Sequence, residues 1–472
     1  MTSAQLLRKI RDHQSLNTKE QRSLIWSLSW PAIMAQISTT IMQLIDMGMV
    51  GRLGTNASAA IGLVTSTTWL VNGVSNGVTF GFSVQTSQAI GARDYRKAAS
   101  LCRQGLLAVG ICSIPLAILM ATLSFQIPIL LGGEPVVLKD SGLYLLVYSL
   151  TIPFYMLNTL AMNMLQSTGD TKVPGIAQVM MCLLDISFNA LFIFKLNLGV
   201  MGAALGTSSS VICVSLFLTG WIFIKNEFLK QKAPWRFHSH SVRSAFRIGG
   251  PISIEQFITG TAYIAMTRIV SSLGTLSIAA HSFAITAESL CYMPAFGFAS
   301  AASALIGQCI GANRIELSRQ IAWRITRLTV LMMSVCGAFM FIFSRQLITM
   351  LSLDPEVIAI GSNLLKMEAF AEPLYGASIA IIGILRGKGD TLWPACLNFI
   401  SIWCVRITLS WLLSIPYGLY GVWMAMVFEL NVRGILFLFR QRKAFPPKQR
   451  DTRNLCSRIS FFVQRKSNLC LM

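Results

Sequence analysis

The stretch from Trp30 to Thr55, WPAIMAQISTTIMQLIDMGMVGRLGT, returns from Gly250 to Thr275 as GPISIEQFITGTAYIAMTRIVSSLGT. Pro31 falls on Pro251, Gln36 on Gln256 and Leu53-Gly54-Thr55 on Leu273-Gly274-Thr275, each 220 positions later and without a gap. The match continues at the same offset. Gly81-Phe82-Ser83 through Ile90-Gly91-Ala92 meets Ala301-Ala302-Ser303 through Ile310-Gly311-Ala312, and Gly169-Asp170-Thr171 meets Gly389-Asp390-Thr391. One residue is lost after Pro174 and Pro394, so that Gly199 and Gly202 pair with Gly418 and Gly421. A duplication of this length restricts the chain to two equivalent halves.

The medium follows from composition. The 472 residues are 54% hydrophobic and only 12% charged, with a mean hydropathy of +0.60. Soluble domains carry about 25% charged residues. Apolar stretches recur at the ~20-residue length that crosses a bilayer. Twelve spanning helices are expected, at 24–51, 57–83, 100–123, 141–165, 172–195, 200–224, 246–271, 277–306, 323–344, 357–385, 392–413 and 419–439. Each repeat holds an even number of spans, so both copies have the same orientation about an axis along the membrane normal. Parallel six-helix halves around a central site are a transporter design.

Charge orients the chain. The net charge of +20 sits mostly between spans, where basic loops and anionic lipid account for it; no nucleic-acid partner is expected. Arg93/Arg96/Lys97, the 225–247 segment, Arg314/Arg319, Arg386/Lys388 and the tail after Phe439 form the basic set of connections. That set is expected to be cytoplasmic, with both termini. The organisation read from this is an N-terminal segment 1–23, an N-lobe 24–224, a linker 225–245, a C-lobe 246–439 and a basic tail 440–472 with an apolar patch at Ile459–Val463. Residues 1–23 lack the apolar core of a cleavable signal peptide. The eleven cysteines are scattered and form no CxxC pair, which fits small apolar packers better than a disulfide or metal framework. His238 and His240 in the linker have no third ligand nearby and read as a solvated loop.

Asp46 breaks the symmetry. It is a carboxylate inside a span, costly unless paired, hydrated or neutralised, and so marks a functional site. Its partner in the second copy is Met266. The C-lobe instead carries Glu255, Glu288, Glu368, Glu372, Arg406 and Glu429, a group open to two readings, interhelical salt bridges or a cavity that attracts organic cations.

The chain resembles the multidrug and toxic compound extrusion (MATE) transporters over residues 24–439. The residues that carry the resemblance are Asp46 before Gly51-Arg52-Leu53-Gly54, Gln88-Ala89-Ile90-Gly91-Ala92, Gln166-Ser167-Thr168-Gly169-Asp170-Thr171 and Gly199-Val200-Met201-Gly202-Ala203-Ala204. In the second half they are Ala279-Ala280-His281, Glu288-Ser289-Leu290 running into Met293-Pro294-Ala295-Phe296-Gly297-Phe298, Gly307-Gln308 and Gly387-Lys388-Gly389-Asp390-Thr391. The resemblance implies an all-α membrane protein of two six-helix lobes around a V-shaped cavity. It also implies export driven by inward H⁺ or Na⁺.

The family's N-lobe ion site has a helix 1 Asp, an Asn and an Asp four apart in helix 5, and a helix 6 Thr. Asp46 and Thr207 match; helix 5 supplies Asp185 and Asn189 in reversed order. At ~1.5 Å per residue, Asp46, Asn189 and Thr207 lie roughly 10 Å below the outer surface, with Asp185 one turn deeper. Two carboxylates converging in a low-dielectric pocket cannot both ionise cheaply, so one is expected to hold a proton or cation. Because hard cations are exacting about ligand geometry, the reversal favours H⁺ over Na⁺. An interhelical hydrogen-bond cluster without function is the other reading.

Glu288, Gln36, Gln256 and Tyr375 are the expected substrate-cavity residues. Some family members carry an acid eleven residues before the Arg of the Leu-Arg-Gly turn; here that position is Tyr375. Pro31 and Pro251, with Pro153 and Pro373, are expected to interrupt and bend their helices. The leading expectation is a monomeric antiporter of the bacterial inner membrane that exports amphipathic cations, uses no cofactor and catalyses no reaction. The alternative is a flippase for a lipid-linked or polyanionic substrate, which would line its cavity with Arg and Lys.

Overall fold

The computed structural model describes residues 2–352 and 354–446. Most of the expected basic tail, including its apolar patch, lies outside the described residues. A short helix, α1 (Ser3–Arg11), precedes the first repeat. That repeat contains α2 (Thr18–Gly51), α3 (Thr55–Gly91), α4 (Tyr95–Thr122), α5 (Pro135–Thr168), α6 (Lys172–Asn189) and α7 (Gly199–Ile224). The second contains α8 (Ser239–Ser271), α9 (Thr275–Gly311), α10 (Ile315–Ile342), α11 (Pro355–Glu368), α12 (Glu372–Lys388), α13 (Leu392–Phe399) and α14 (Thr408–Ala444).

Backbone satisfaction inside lipid leaves helices as the spanning element, and their ends follow local chemistry. Asn17 and Glu20 form a capping box at the start of α2, satisfying two free N–H groups. Pro135 and Pro355 occupy first-turn positions of α5 and α11, where a missing N–H costs nothing. The punctuating glycines repeat in conformation as well as in sequence. Their φ angles are +108° and +98° at Gly54 and Gly274, +88° and +90° at Gly169 and Gly389, and +57° and +55° at Gly199 and Gly418.

Among the described residues, eight helices are long and apolar enough to cross a bilayer, and α11 with α12 makes a ninth as a bent pair. The continuous run Leu392–Ala444 kinks at Gly418 and supplies two spans. The more polar α3 and α8 pack on each other and complete the twelve. The fold is two six-span lobes.

The lobes meet in the half of the molecule that carries the termini. A Cβ at Gly77 would collide with Ser253 and one at Gly297 with Ile33, the symmetry-equivalent contact. A Cβ at Gly91 would meet the Gln308 carbonyl, and one at Gly311 the carbonyl of Gln88. Gln88 Nε2 donates to the Gly387 carbonyl (3.4 Å) and Gln308 Nε2 to that of Ser167 (2.9 Å). On the opposite face Gly54, Gly62 and Gly274 have nothing near them. The lobes are sealed on the basic face.

The N-terminal segment contains a buried helix, and two expectations, a continuous span ten and interruptions at all four prolines, need correcting. Leu6, Leu7 and Ile10 of α1 enter the core formed by α2, α9 and α10, while Arg93 donates to the Arg11 carbonyl (2.9 Å) and Arg314 to that of Gln14 (2.7 Å). One turn from each lobe therefore holds it. Span ten is not one helix: α11 and α12 diverge by 61°. By contrast, α2, α5 and α8 run on through Pro31, Pro153 and Pro251, so of these four prolines only Pro373 lies at an interruption. A bundle packed on both sides of a proline can hold the helix through the lost hydrogen bond.

Candidate functional site

The polar centre of the N-lobe is built on one amide. Asn189, the last residue of α6, donates through Nδ2 to Asp46 Oδ1 at 2.8 Å and to Asp185 Oδ2 at 3.0 Å. Asp185 is 0% exposed and Asp46 half-buried. Ser210 of α7 donates to Asp185 Oδ1 at 3.4 Å, and Thr207 of the same helix lies beside that carboxylate. All four expected residues therefore converge. The one-turn displacement expected for Asp185 does not separate it from Asp46, because side-chain reach and the shared amide span the gap.

Two local features place Asn189. Immediately after it the helix widens into a π-helical turn, Ala190–Lys195, a distortion that often marks functional sites. Opposite it, α7 presents Gly202 and Gly206. A Cβ at Gly206 would collide with Asn189 Oδ1, and one at Gly202 with the Phe192 carbonyl. The spacing is the small-xxx-small pattern that lets membrane helices approach closely.

The C-lobe charges form a different object. Glu429 of α14 is 0% exposed. It accepts from Arg406 Nε (2.9 Å) and Nη2 (2.6 Å), from Arg433 Nη2 (3.4 Å), and from the Ser401 hydroxyl, with Arg433 Nε 3.1 Å away as an ion pair. Glu255 accepts from Arg386 (2.9 Å) and Asn398 (2.6 Å). Glu288 is buried within the field of Arg406 and Arg433. Tyr375 lies under the Arg433 guanidinium (5.3 Å) and edge-on to Tyr292 (5.5 Å). Glu288 and Tyr375 thus belong to one neighbourhood. Gln36 is half-buried on α2, and Gln256 packs against Gly73 of α3 at the lobe contact. In the linker, His238 is tied to Gln104 through its backbone N–H (3.1 Å) and its ring (3.3 Å).

The MatE family profile matches residues 31–191 and 251–412, one segment in each repeat. The chain belongs to the MatE family. It is 27% identical over 425 residues to the probable multidrug resistance protein NorM of Thermotoga maritima, covering 89% of this chain and 92% of that one. It is 25% identical to the probable multidrug resistance protein YoeA of Bacillus subtilis, covering 86% and 91%. A MATE transporter solved in an outward-facing conformation superposes with a TM-score of 0.87 at 21% identity, covering 94% and 98%. A MOP superfamily transporter from Pyrococcus furiosus, titled for the reverse polarity of its binding pocket, gives 0.86 at 20%, with the same coverage.

MatE membership makes this a transporter, and the two matched segments begin at Pro31 and Pro251. Ser210 and Gly206 were missed in the sequence. Ser210 stands one turn after Thr207 and so shares its face. Gly206 completes Gly202-Ala203-Ala204-Leu205-Gly206, a close-approach signal that was there to be read. Gly206→Ala is expected to push Asn189 off its two carboxylates, costing about 1–3 kcal/mol as overpacking and weakening coupled transport. Thermal unfolding in detergent together with proteoliposome efflux checks this; unchanged values for both rule out the tight contact.

Proposed function

We propose that the protein is an H⁺-coupled antiporter that exports amphipathic organic cations across a bacterial inner membrane, with both termini in the cytoplasm. One observation carries the coupling: Asn189 bridges Asp46 and Asp185, and the twin lobe has Met266, Val405 and Leu409 in their places. Two charged carboxylates on one amide repel each other, and a proton on either removes the repulsion. Sodium is served less well. The amide turns its N–H donors toward the carboxylates and its oxygen toward Gly206, whereas a hard cation needs converging oxygens.

The names of the NorM and YoeA relatives support multidrug export. The basic connections gathered on the sealed face support a cytoplasmic assignment for that face, and the opposite face is then external. Protonation from outside lets α2 and α6 close on each other and shrink the N-lobe pocket, expelling substrate. Proton release inside resets it. The flippase reading has less support: Arg406 and Arg433 spend their charge on Glu429.

The test is efflux of fluorescent monocations from proteoliposomes at fixed ΔpH, with and without a sodium gradient. Transport is expected to follow ΔpH, with outside acid promoting release. Dependence on sodium and indifference to ΔpH would refute the proton assignment. Preferential competition by anions would favour the flippase.

A further inference from the structure

The break in span ten is chemically odd. Glu368 is the last residue of α11 and Glu372 the first of α12, and they are 0% and 1% exposed. All four of their carboxyl oxygens are buried without a hydrogen-bond partner among the described residues. Groups facing Glu368 are Glu288 of α9, Glu372, Glu429 of α14, and Arg406 from the π-helical turn Ile400–Ile407; those facing Glu372 are Glu368, Glu288, Cys291 and Tyr292 of α9, and Cys336 of α10. Arg406 is the compensating charge among them, and its Nε and Nη2 are committed to Glu429. Gly337 of α10 makes room for the break, since a Cβ there would press on the Ala369 carbonyl and on Glu372.

The other repeat supplies the control. Pro373 corresponds to Pro153, yet α5 runs through Pro153 unbroken. The residues matching Glu368 and Glu372 are Tyr148 and Ile152, both buried in an apolar core. The proline is common to both lobes. The two acids and the break occur only in the second.

We propose that Glu368 and Glu372 are a second proton-binding site, in the C-lobe, whose occupancy sets the break between α11 and α12. A buried carboxylate without a partner is too costly to keep ionised, so each carboxyl holds its proton in this conformation. Release breaks one O–H bond per group and passes the proton to water. The resulting anions must then hydrate or draw Arg406 away from Glu429, and either change moves α12 relative to α11. The site is separate from Asp46, so its proof or failure does not depend on the N-lobe assignment.

Infrared difference spectra of the full-length protein in lipid, recorded across a pH titration, provide the test. Protonated carboxyl bands are expected to disappear as pH rises. Part of that signal should be missing in Glu368→Gln and in Glu372→Gln, and more in the double variant. Asp46→Asn should retain that part. Because glutamine is close in size and shape to a neutral glutamic acid, the variants mimic the protonated state. If the two glutamate bands persist at every pH at which the protein stays folded, the acids are permanently neutral packing groups and the proposal fails. It fails equally if the wild-type and double-variant titrations coincide.

Discussion

Asp46→Asn is expected to yield a folded, membrane-inserted protein that no longer couples export to a proton gradient. The substitution preserves size, and its amide oxygen can accept the same N–H that Asn189 now gives Asp46 at 2.8 Å. It also removes one of two facing charges. Stability should therefore change by no more than about 1 kcal/mol. What disappears is a group that can gain and lose a proton beside Asp185, so uphill efflux should fall to the passive leak. Substrate binding measured at equilibrium should survive, which separates loss of coupling from loss of the cavity. Wild-type efflux from a normally expressed Asp46→Asn protein would refute the role assigned to this residue.

Asp46 was legible because the chain provides its own comparison: a costly acid in one repeat and Met266 in the other. The spans and their pairing were legible for a similar reason. Lipid removes alternatives to the helix, and the repeat fixes the orientation of the second half once the first is read. Side-chain reach was not legible. Rise per residue put Asp185 one turn, ~6 Å, away from the level of Asp46, whereas an asparagine between them closes that distance. Nor could sequence show which proline accompanies a break, since Pro153 and Pro373 occupy equivalent positions. The buried role of α1 was hidden as well. Leu6, Leu7 and Ile10 stand among basic and polar residues, and beyond α2 their partners come from α9 and α10, hundreds of positions away.

Glu429→Gln is expected to cost about 3–5 kcal/mol, the range for removing one partner of a buried ion pair. Glu429 is enclosed and answers two guanidinium groups, at 2.6 Å from Arg406 and 3.1 Å from Arg433. Glutamine would leave both cations without their anion and turn an N–H₂ group toward guanidinium donors. The protein should unfold at a lower temperature in detergent and express poorly. Replacing the whole cluster, with Glu429→Leu, Arg406→Met and Arg433→Met together, should recover most of the loss. Buried ion pairs often exchange for apolar residues at little cost, and coupled neighbours are not additive. Unchanged thermal stability in Glu429→Gln would show that water reaches the cluster. The triple variant then separates structure from transport. If it is stable and exports, the charges only tie α14 to the π-helical turn. If it is stable and inactive, Arg406 and Arg433 act on transport through their neighbourhood with Glu288 and Tyr375.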